Sequence, residues 1–403
     1  MVLKMAWRNI WRSRRRTLVT VGAMTLALTI LILYTSLVEG YLRDIERNIL
    51  ELELGDVQVH AENYLNKPSI YDTIEDSDSL VAQLMELDYP ASARLLGGGL
   101  VASGDSSAGA SLRGIEIEQD ARVSKIGEHV VDGRWLDPSE PSGVVLGRRL
   151  AHTLNAKVGD ELVMLSQAVD GSMANDLYHV KGVLASISDG TDRTGVFMTA
   201  EAFRNFFGLD NGAHQVVVRR PVGKELDVTA TTVAGLSPSS DVKTWRDLMP
   251  TLATMLDSTR GMIQVVFFVI YIVVAILILN AMLMAVFERI REFGVLKAIG
   301  VSPKKVLTII VTESSIQTLL AIITGLTLSL PGLWYLVNYG IDTGALGGTS
   351  MMGIAWNQMW YGVVTPWSFI APVITLIIMA SLAVIYPALK ASRISPVEAM
   401  RHQ

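Results

Sequence analysis

Residues 261–287 read GMIQVVFFVIYIVVAILILNAMLMAVF, and residues 288–305 continue ERIREFGVLKAIGVSPKK. The first run carries no charged side chain over 27 residues. A hydrocarbon core of about 30 Å needs roughly 20 apolar helical residues, so this run is long enough to cross a bilayer. The second run changes character at Glu288. Gly300 stands where a helix end takes a left-handed residue. Ser302 suits the N-cap of a new helix and Pro303 its first turn. The spacing predicts a short charged helix, a stop, a cap and another helix. It places Phe293, Leu296 and Ile299 on one face against the membrane, with Arg289, Glu292 and Lys297 toward water.

Working outward, three more runs reach membrane length: 17–38, 306–338 and 366–389. Lys4, Arg8, Arg12, Arg14, Arg15 and Arg16 precede the first. Arg289, Arg291, Lys297, Lys304 and Lys305 lie between the second and third, and Lys390, Arg393 and Arg401 follow the fourth. Basic residues flanking spans stay on the cytoplasmic side, so both termini are expected inside. Residues 39–260 hold 20 basic against 34 acidic side chains, a net of −14, while the remainder is +9. That acidic segment is expected outside. It presents no basic face, which disfavours nucleic acid as a partner. The first run is long for the core of a cleaved signal and lacks a small-x-small cleavage site, so it reads as an uncleaved anchor. Residues 1–16 read as an amphipathic helix at the headgroups. Lys4, Arg8, Arg12 and Arg15 form one stripe of it, and Leu3, Trp7, Ile10 and Trp11 the other.

The fold class follows: an α-helical membrane protein with four transmembrane helices, and a large extracytoplasmic α+β domain inserted between the first and second. Its parts are 1–16 cytoplasmic helix, 17–38 first span, 39–260 outer domain, 261–287 second span, 288–305 elbow, 306–338 third span, 339–365 outer link, 366–389 fourth span and 390–403 cytoplasmic tail. Within the outer domain, alternation predicts strands at 55–60, 162–165, 179–184, 195–198 and 215–219, with a short apolar run at 143–147. Helices are expected at 148–155 and, capped by Thr199, at 199–208. Residues 241–260 are expected to return to the membrane as helix. Gly97–Gly99 reads as a flexible turn, and Asp189–Asp192 as a polar turn. In the outer link, Trp356, Trp360, Tyr361 and Trp367 suit an interface belt. In the tail, Ser395–Glu398 has the form of a capping box.

Half of the residues are apolar, 18% are charged, and there is no cysteine. Disulfides and thiolate chemistry are therefore excluded. No phosphate-binding loop, nucleophile elbow or zinc-protease motif occurs in the chain, and its six histidines lack ligand spacing. Catalytic, cofactor and metal sites are accordingly not assigned. Inside the spans, Asn280 and Glu313 are the polar groups of interest. Glu313 either makes a structural hydrogen bond or belongs to a coupling path. Asn280, near Ala281 and Ala285, suits contact between helices.

The order of one span, a large outer domain and three spans with a charged elbow resembles the permeases of the MacB/FtsX superfamily of ABC transporters, including Lol-type lipoprotein-releasing permeases. The resemblance is carried by residues 6–12 (AWRNIWR), Gly133–Trp135, Val145–Ala151, Val158–Asp160, residues 291–300 (REFGVLKAIG), Glu313 with Gly325, and Pro387–Arg393 with Pro396 and Glu398–Arg401. It implies that Arg289, Arg291, Glu292, Phe293, Gly294, Leu296, Lys297, Ala298, Ile299 and Gly300 form the ATPase-coupling element. It also implies a second permease chain, identical or homologous, and a separate ATPase dimer carrying ATP and magnesium, since this sequence holds no such motif. The permease itself is then no enzyme, and its place is the bacterial inner membrane. The implied work is mechanotransmission: release of a lipoprotein or lipid substrate, with a periplasmic carrier or adaptor. Two alternatives stand within the family, a tripartite MacB-like efflux permease and an FtsX-like regulator of cell-wall hydrolases. A signalling receptor is a further alternative, though it needs a long cytoplasmic output module.

Overall fold

The computed structural model describes residues 2–12, 14–288, 290–342, 350–351, 354–355 and 359–393. Two compact units emerge. One comprises 1–42, 255–342 and 359–403, and the other 43–254 with 343–358. The chain opens with α1 (Val2–Arg12) and α2 (Arg14–Ile49). The Thr17 hydroxyl donates to the Ile10 carbonyl at 3.0 Å and closes the corner between them. Ala6 and Ile10 of α1 are buried, while Trp7 and Trp11 face out, edge to face at 5.9 Å. The apolar side of α1 is therefore split. Ile10 joins the bundle, and the tryptophans stay available to a membrane surface. The helix ends at Arg12, short of the expected residue 16.

The outer unit contains ten strands: β1 (Val57–His60), β2 (Ala91–Ser103), β3 (Ser106–Ile115), β4 (Val130–Gly133), β5 (Gly143–Leu146), β6 (Glu161–Gln167), β7 (Met173–Leu184), β8 (Gly195–Thr199), β9 (Gln215–Val218) and β10 (Asp241–Thr244). With α3 (Ser77–Glu86) and α4 (Leu226–Leu236), they form β1–α3–β2 and β9–α4–β10. Four antiparallel strands lie in the order β10-β1-β9-β2. This is the split βαβ arrangement, with β3 to β8 inserted between its second and third strands. The inserted strands close on β2 in a ring, β2-β3-β8-β5-β7-β6 and back to β2, while β4 borders β7. The ring is possible because β2 is long. Residues 91–94 pair β9 and residues 100–102 pair β6, while residues 94–103 pair β3. Inward residues Leu95, Val101, Leu112, Leu162, Met164 and Tyr178 fill the core with Phe203 and Phe207.

Three expectations for this unit are corrected. Gly97–Gly99 is the middle of β2, because a Cβ on Gly97 would lie 2.7 Å from the Phe207 ring and one on Gly114 2.5 Å from Phe203. The glycines let the 200–207 helix press its two phenylalanines onto the sheet, a use of strand glycine that sequence alone does not reveal. Residues 241–244 are strand rather than helix, since they pair β1 in register, and a Thr244–Asp247 capping box then starts a four-residue helix. Residues 189–194 form a helix capped by the Ser188 hydroxyl. The 199–207 region matches its reading, with Thr199 accepting from the Ala202 N–H at 3.1 Å.

The remaining helices are α5 (Pro250–Glu288), α6 (Ile290–Ala298), α7 (Pro303–Asn338) and α8 (Pro366–Arg393). With α2, the helices α5, α7 and α8 are each long and apolar enough to cross a membrane. At 1.5 Å per residue, α5 is about 58 Å long, roughly twice the hydrocarbon thickness. Helix therefore runs well past the apolar stretch 261–287, just as α2 continues beyond residue 38 to Ile49. Close packing of α2 on α7 comes from small residues. A Cβ on Gly325 or Gly332 would lie 2.8 Å from Leu28 or Leu33 respectively. The Thr25 and Thr324 hydroxyls bond at 2.7 Å across the same seam, as expected where helices associate by close approach and hydrogen bonds. Tyr271 of α5 donates to the Pro372 carbonyl of α8 at 2.7 Å. In the outer link, Trp360 lies against Tyr41 at 4.5 Å and Trp367 is exposed. Trp356 and the Ser395–Glu398 capping box lie outside the described residues.

Candidate functional site

Helix α6 is delimited by its own chemistry. Gly300 has φ +95°, a conformation that an L side chain resists, so the helix ends there. Ser302 takes the N-cap backbone conformation and Pro303 the first position of α7. The Ser302 hydroxyl makes no capping bond; its carbonyl instead accepts from the Lys305 N–H at 2.9 Å.

Glu292 and Lys297, expected toward water, are used as ties. The Glu292 carboxylate pairs with Arg12 of α1 at 2.7 Å. The Lys297 ammonium donates to the Ser392 carbonyl near the end of α8, and desolvation there lowers its pKa from the ordinary lysine value. Beside it, the Lys390 ammonium lies 4.7 Å from the centre of the Phe287 ring, a cation–π contact. Helix spacing told which residues share a face. It did not tell that α1 and the end of α8 flank the helix on two sides.

One face of α6 is left uncovered within the chain. Arg291, Val295, Ala298 and Ile299 are exposed, Val295 by 51% and Ile299 by 73%. They follow i, i+4, i+7, i+8 spacing, one face of a helix. Ile299 is therefore uncovered within the chain. Gly294 is buried and Ile290 is 8% exposed, so the backbone of α6 is seated along their side. Arg289 lies outside the described residues, as do the side chains of Phe293 and Leu296.

The two intramembrane residues separate. Asn280 is exposed on α5, in line with the exposed Val269, Val273, Ile276 and Met284. Glu313 is 4% exposed on α7. It opens a buried polar stripe with Ser314, Gln317 and Thr318, in an i, i+1, i+4, i+5 pattern that the sequence reading passed over.

The outer unit has its own open cavity of about 820 Å³ against the outward face of β2 and β3. Gly98, Gly109 and Ser111 form its floor, the Arg113–Glu53 pair (3.5 Å) one side, and the segment from Tyr64 to Ile70 another. His214 holds that segment. Its Nδ1 accepts from the Leu96 N–H and its Nε2 faces the Ile70 carbonyl, both at 3.1 Å. This arrangement requires the neutral ring. Burial lowers the His214 pKa and that of neighbouring His60, the latter to about 4. Because the folded pKa values lie below the ordinary 6.5, the unfolded chain binds more protons beneath that pH. The stabilisation is complete above pH 6.5 and is lost as pH falls toward 4, by at most about 1.4 kcal/mol per pH unit for each histidine. Protection across residues 61–73, corrected for the intrinsic exchange rate at each pH, should therefore fall from pH 7.5 to pH 5, and His214→Gln should flatten that dependence. An unchanged profile in wild type would contradict the buried neutral pair.

Comparison with known proteins agrees with this architecture. The MacB-like periplasmic core domain family matches residues 17–252, and the FtsX-like permease C-terminal family matches residues 264–396. An uncharacterized ABC transporter permease of Methanocaldococcus jannaschii is 23% identical over 288 residues, which is 68% of this chain and 66% of that protein. The lipoprotein-releasing system transmembrane protein LolC of Xylella fastidiosa is 19% identical over 399 residues, 96% of this chain and 94% of the relative. The crystal structure of the periplasmic region of MacB from Actinobacillus actinomycetemcomitans aligns with a TM-score of 0.37 at 13% identity, over 49% of this chain and 91% of that one. Among the described residues, four helices long and apolar enough to cross a membrane, with a MacB-like α+β insertion, define a membrane permease. The chain belongs to the MacB/FtsX superfamily of ABC transporter permeases, with similarity to its Lol-type members.

Proposed function

We propose that α6 receives the stroke of a separate ATPase subunit at the cytoplasmic face of the inner membrane, and that the stroke drives the outer domain to release a lipoprotein. The observation that carries this reading is the seating of α6. It is tied to α1 through Glu292 and to α8 through Lys297, with one face left uncovered. A helix held on two sides moves with the bundle, so force applied to its free face is not dissipated locally. Helices α5 and α7, on either side of the elbow, are each continuous over more than 30 residues. The lipoprotein substrate is favoured over efflux or hydrolase control by the likeness to LolC along nearly the whole chain. In this reading two permease chains pair, Asn280 on the open face of α5 meets the second chain, and Glu313 lies on the path between elbow and bundle.

The test uses the Arg12–Glu292 pair. Both groups are largely exposed, so the pair adds no more than about 1 kcal/mol to stability. Arg12→Glu or Glu292→Arg should leave the chain folded, yet reduce substrate-stimulated ATP turnover and release of a triacylated lipoprotein from proteoliposomes several-fold. The double exchange should restore both. Singles that match wild type in turnover and release would remove the tie from the coupling path.

A further inference from the structure

A second feature of the same helical unit lies at the basic end of α2. A cavity of about 570 Å³ opens between the start of α2 and the last turns of α5, within the roughly 300–1,000 Å³ range of small-molecule sites. Arg12, Arg14 and Arg15 line its mouth, and Val19, Leu277 and Met284 its wall. Glu288 also lines the mouth, so the formal charge of the lining is +2 (three arginines, one glutamate). Among the described residues Arg14 and Arg15 have no acidic partner, and Arg14 lies 6.0 Å from the centre of the Trp11 ring. Arg12 gives one N–H to Glu292 and keeps others for a further acceptor.

We infer that this cavity binds an anionic phospholipid of the inner leaflet, its phosphate on Arg14 and Arg15 with Arg12 shared, and an acyl chain along the Val19, Leu277 and Met284 wall. A guanidinium cluster suits phosphate because it offers several N–H donors in a fixed fork. The apolar wall selects a lipid over a free anion, since an inorganic ion leaves that surface wet. A basic pocket between spanning helices at the cytoplasmic side is suited to anionic headgroups. Arg12 joins the site to α6, so occupancy sets the position of the Glu292 tie.

The experiment measures lipid retention, which does not depend on the coupling reading. The purified full chain, in nanodiscs of phosphatidylcholine with one-fifth phosphatidylglycerol, is examined by native mass spectrometry. Wild type should retain phosphatidylglycerol in preference to phosphatidylcholine. Removing two cationic contacts in Arg14→Gln/Arg15→Gln should weaken that retention roughly 20- to 30-fold. Lys304→Gln/Lys305→Gln removes the same charge outside the cavity and should leave it within two-fold. Ala281→Leu narrows the cavity and should weaken it without any change of charge. Inorganic phosphate at 50 mM should not displace the lipid. Equal losses in the two double variants would show diffuse surface attraction, displacement by phosphate would show a simple anion site, and either result overturns the proposal. Unaltered retention in Ala281→Leu would also count against it.

Discussion

The double variant Val295→Asp/Ile299→Asp is expected to insert and fold normally but to lose its ATPase subunit on co-purification. The two side chains are 51% and 73% exposed on α6 and share a face with Arg291 and Ala298. Fully burying a Val or Ile contributes about 1.5–3 kcal/mol, and covering these partly exposed side chains contributes roughly half to three-quarters of that each. A carboxylate placed in a desolvated contact adds a penalty of its own. A combined loss of about 3–5 kcal/mol corresponds to weakening by about two to three and a half orders of magnitude. Because neither residue is in the core, the melting temperature of the permease alone should stay within a few degrees. Pull-down with the tagged ATPase subunit, and titration of that subunit onto permease nanodiscs, read the loss directly. Binding unchanged within three-fold would take α6 out of the docking surface. Reduced membrane insertion with intact ATPase binding would instead assign the face to lipid.

The second large effect concerns the outer domain. Asp120→Asn is expected to destabilise it by about 3–5 kcal/mol, the usual cost of leaving one partner of a buried ion pair alone. Arg94 and Asp120 meet at 2.7 Å, with side chains only 6% and 4% exposed. Arg94 also donates to the Glu53 carbonyl at 2.7 Å. It stands where β2 is paired with β9 on one edge and β3 on the other, opposite Gln215 and Ile115. A guanidinium without its acid there stays desolvated over most of its surface, although it borders the open cavity beside β2 and β3. Replacing both partners, in Arg94→Met/Asp120→Leu, should recover most of the loss because neither charge remains buried. Hydrogen exchange of β2 and β3 in the full chain measures the difference. Protection in Asp120→Asn equal to wild type would mean that the pair contributes little.

How far the fold could be read in advance depended on the kind of signal. Apolar length located all four helices that are long enough to cross a membrane, because the bilayer imposes that requirement on sequence directly. Strand-like runs located β1, β6, the end of β7, β8 and β9, and a short apolar run located β5. The misreadings share a cause. Gly97–Gly99 looked like a turn because its meaning lies in Phe203 and Phe207, more than 100 residues away. Residues 241–244 looked like the start of a helix because their partner is β1, at the other end of the domain.

At the elbow, the breaks at Gly300 and Pro303 were legible because they follow from backbone sterics at single residues. The faces of α6 were not. Glu292 and Lys297 resemble solvated charges until Arg12 and the Ser392 carbonyl are placed beside them. Likewise Glu313 stood out alone because a charge in a span is rare, whereas Ser314, Gln317 and Thr318 became a stripe only once burial was known.

The sequence by itself determined the number of spans, the acidic outer segment, the helix breaks of the elbow and the absence of an ATPase motif. Each of these is a property of neighbouring residues or of local composition. Only the tertiary structure decided that β2 closes a ring of strands, which face of α6 is uncovered and that three arginines share a cavity with an apolar wall. Those depend on contacts between residues far apart in the chain, where the energy of an arrangement belongs to the pair and not to either residue.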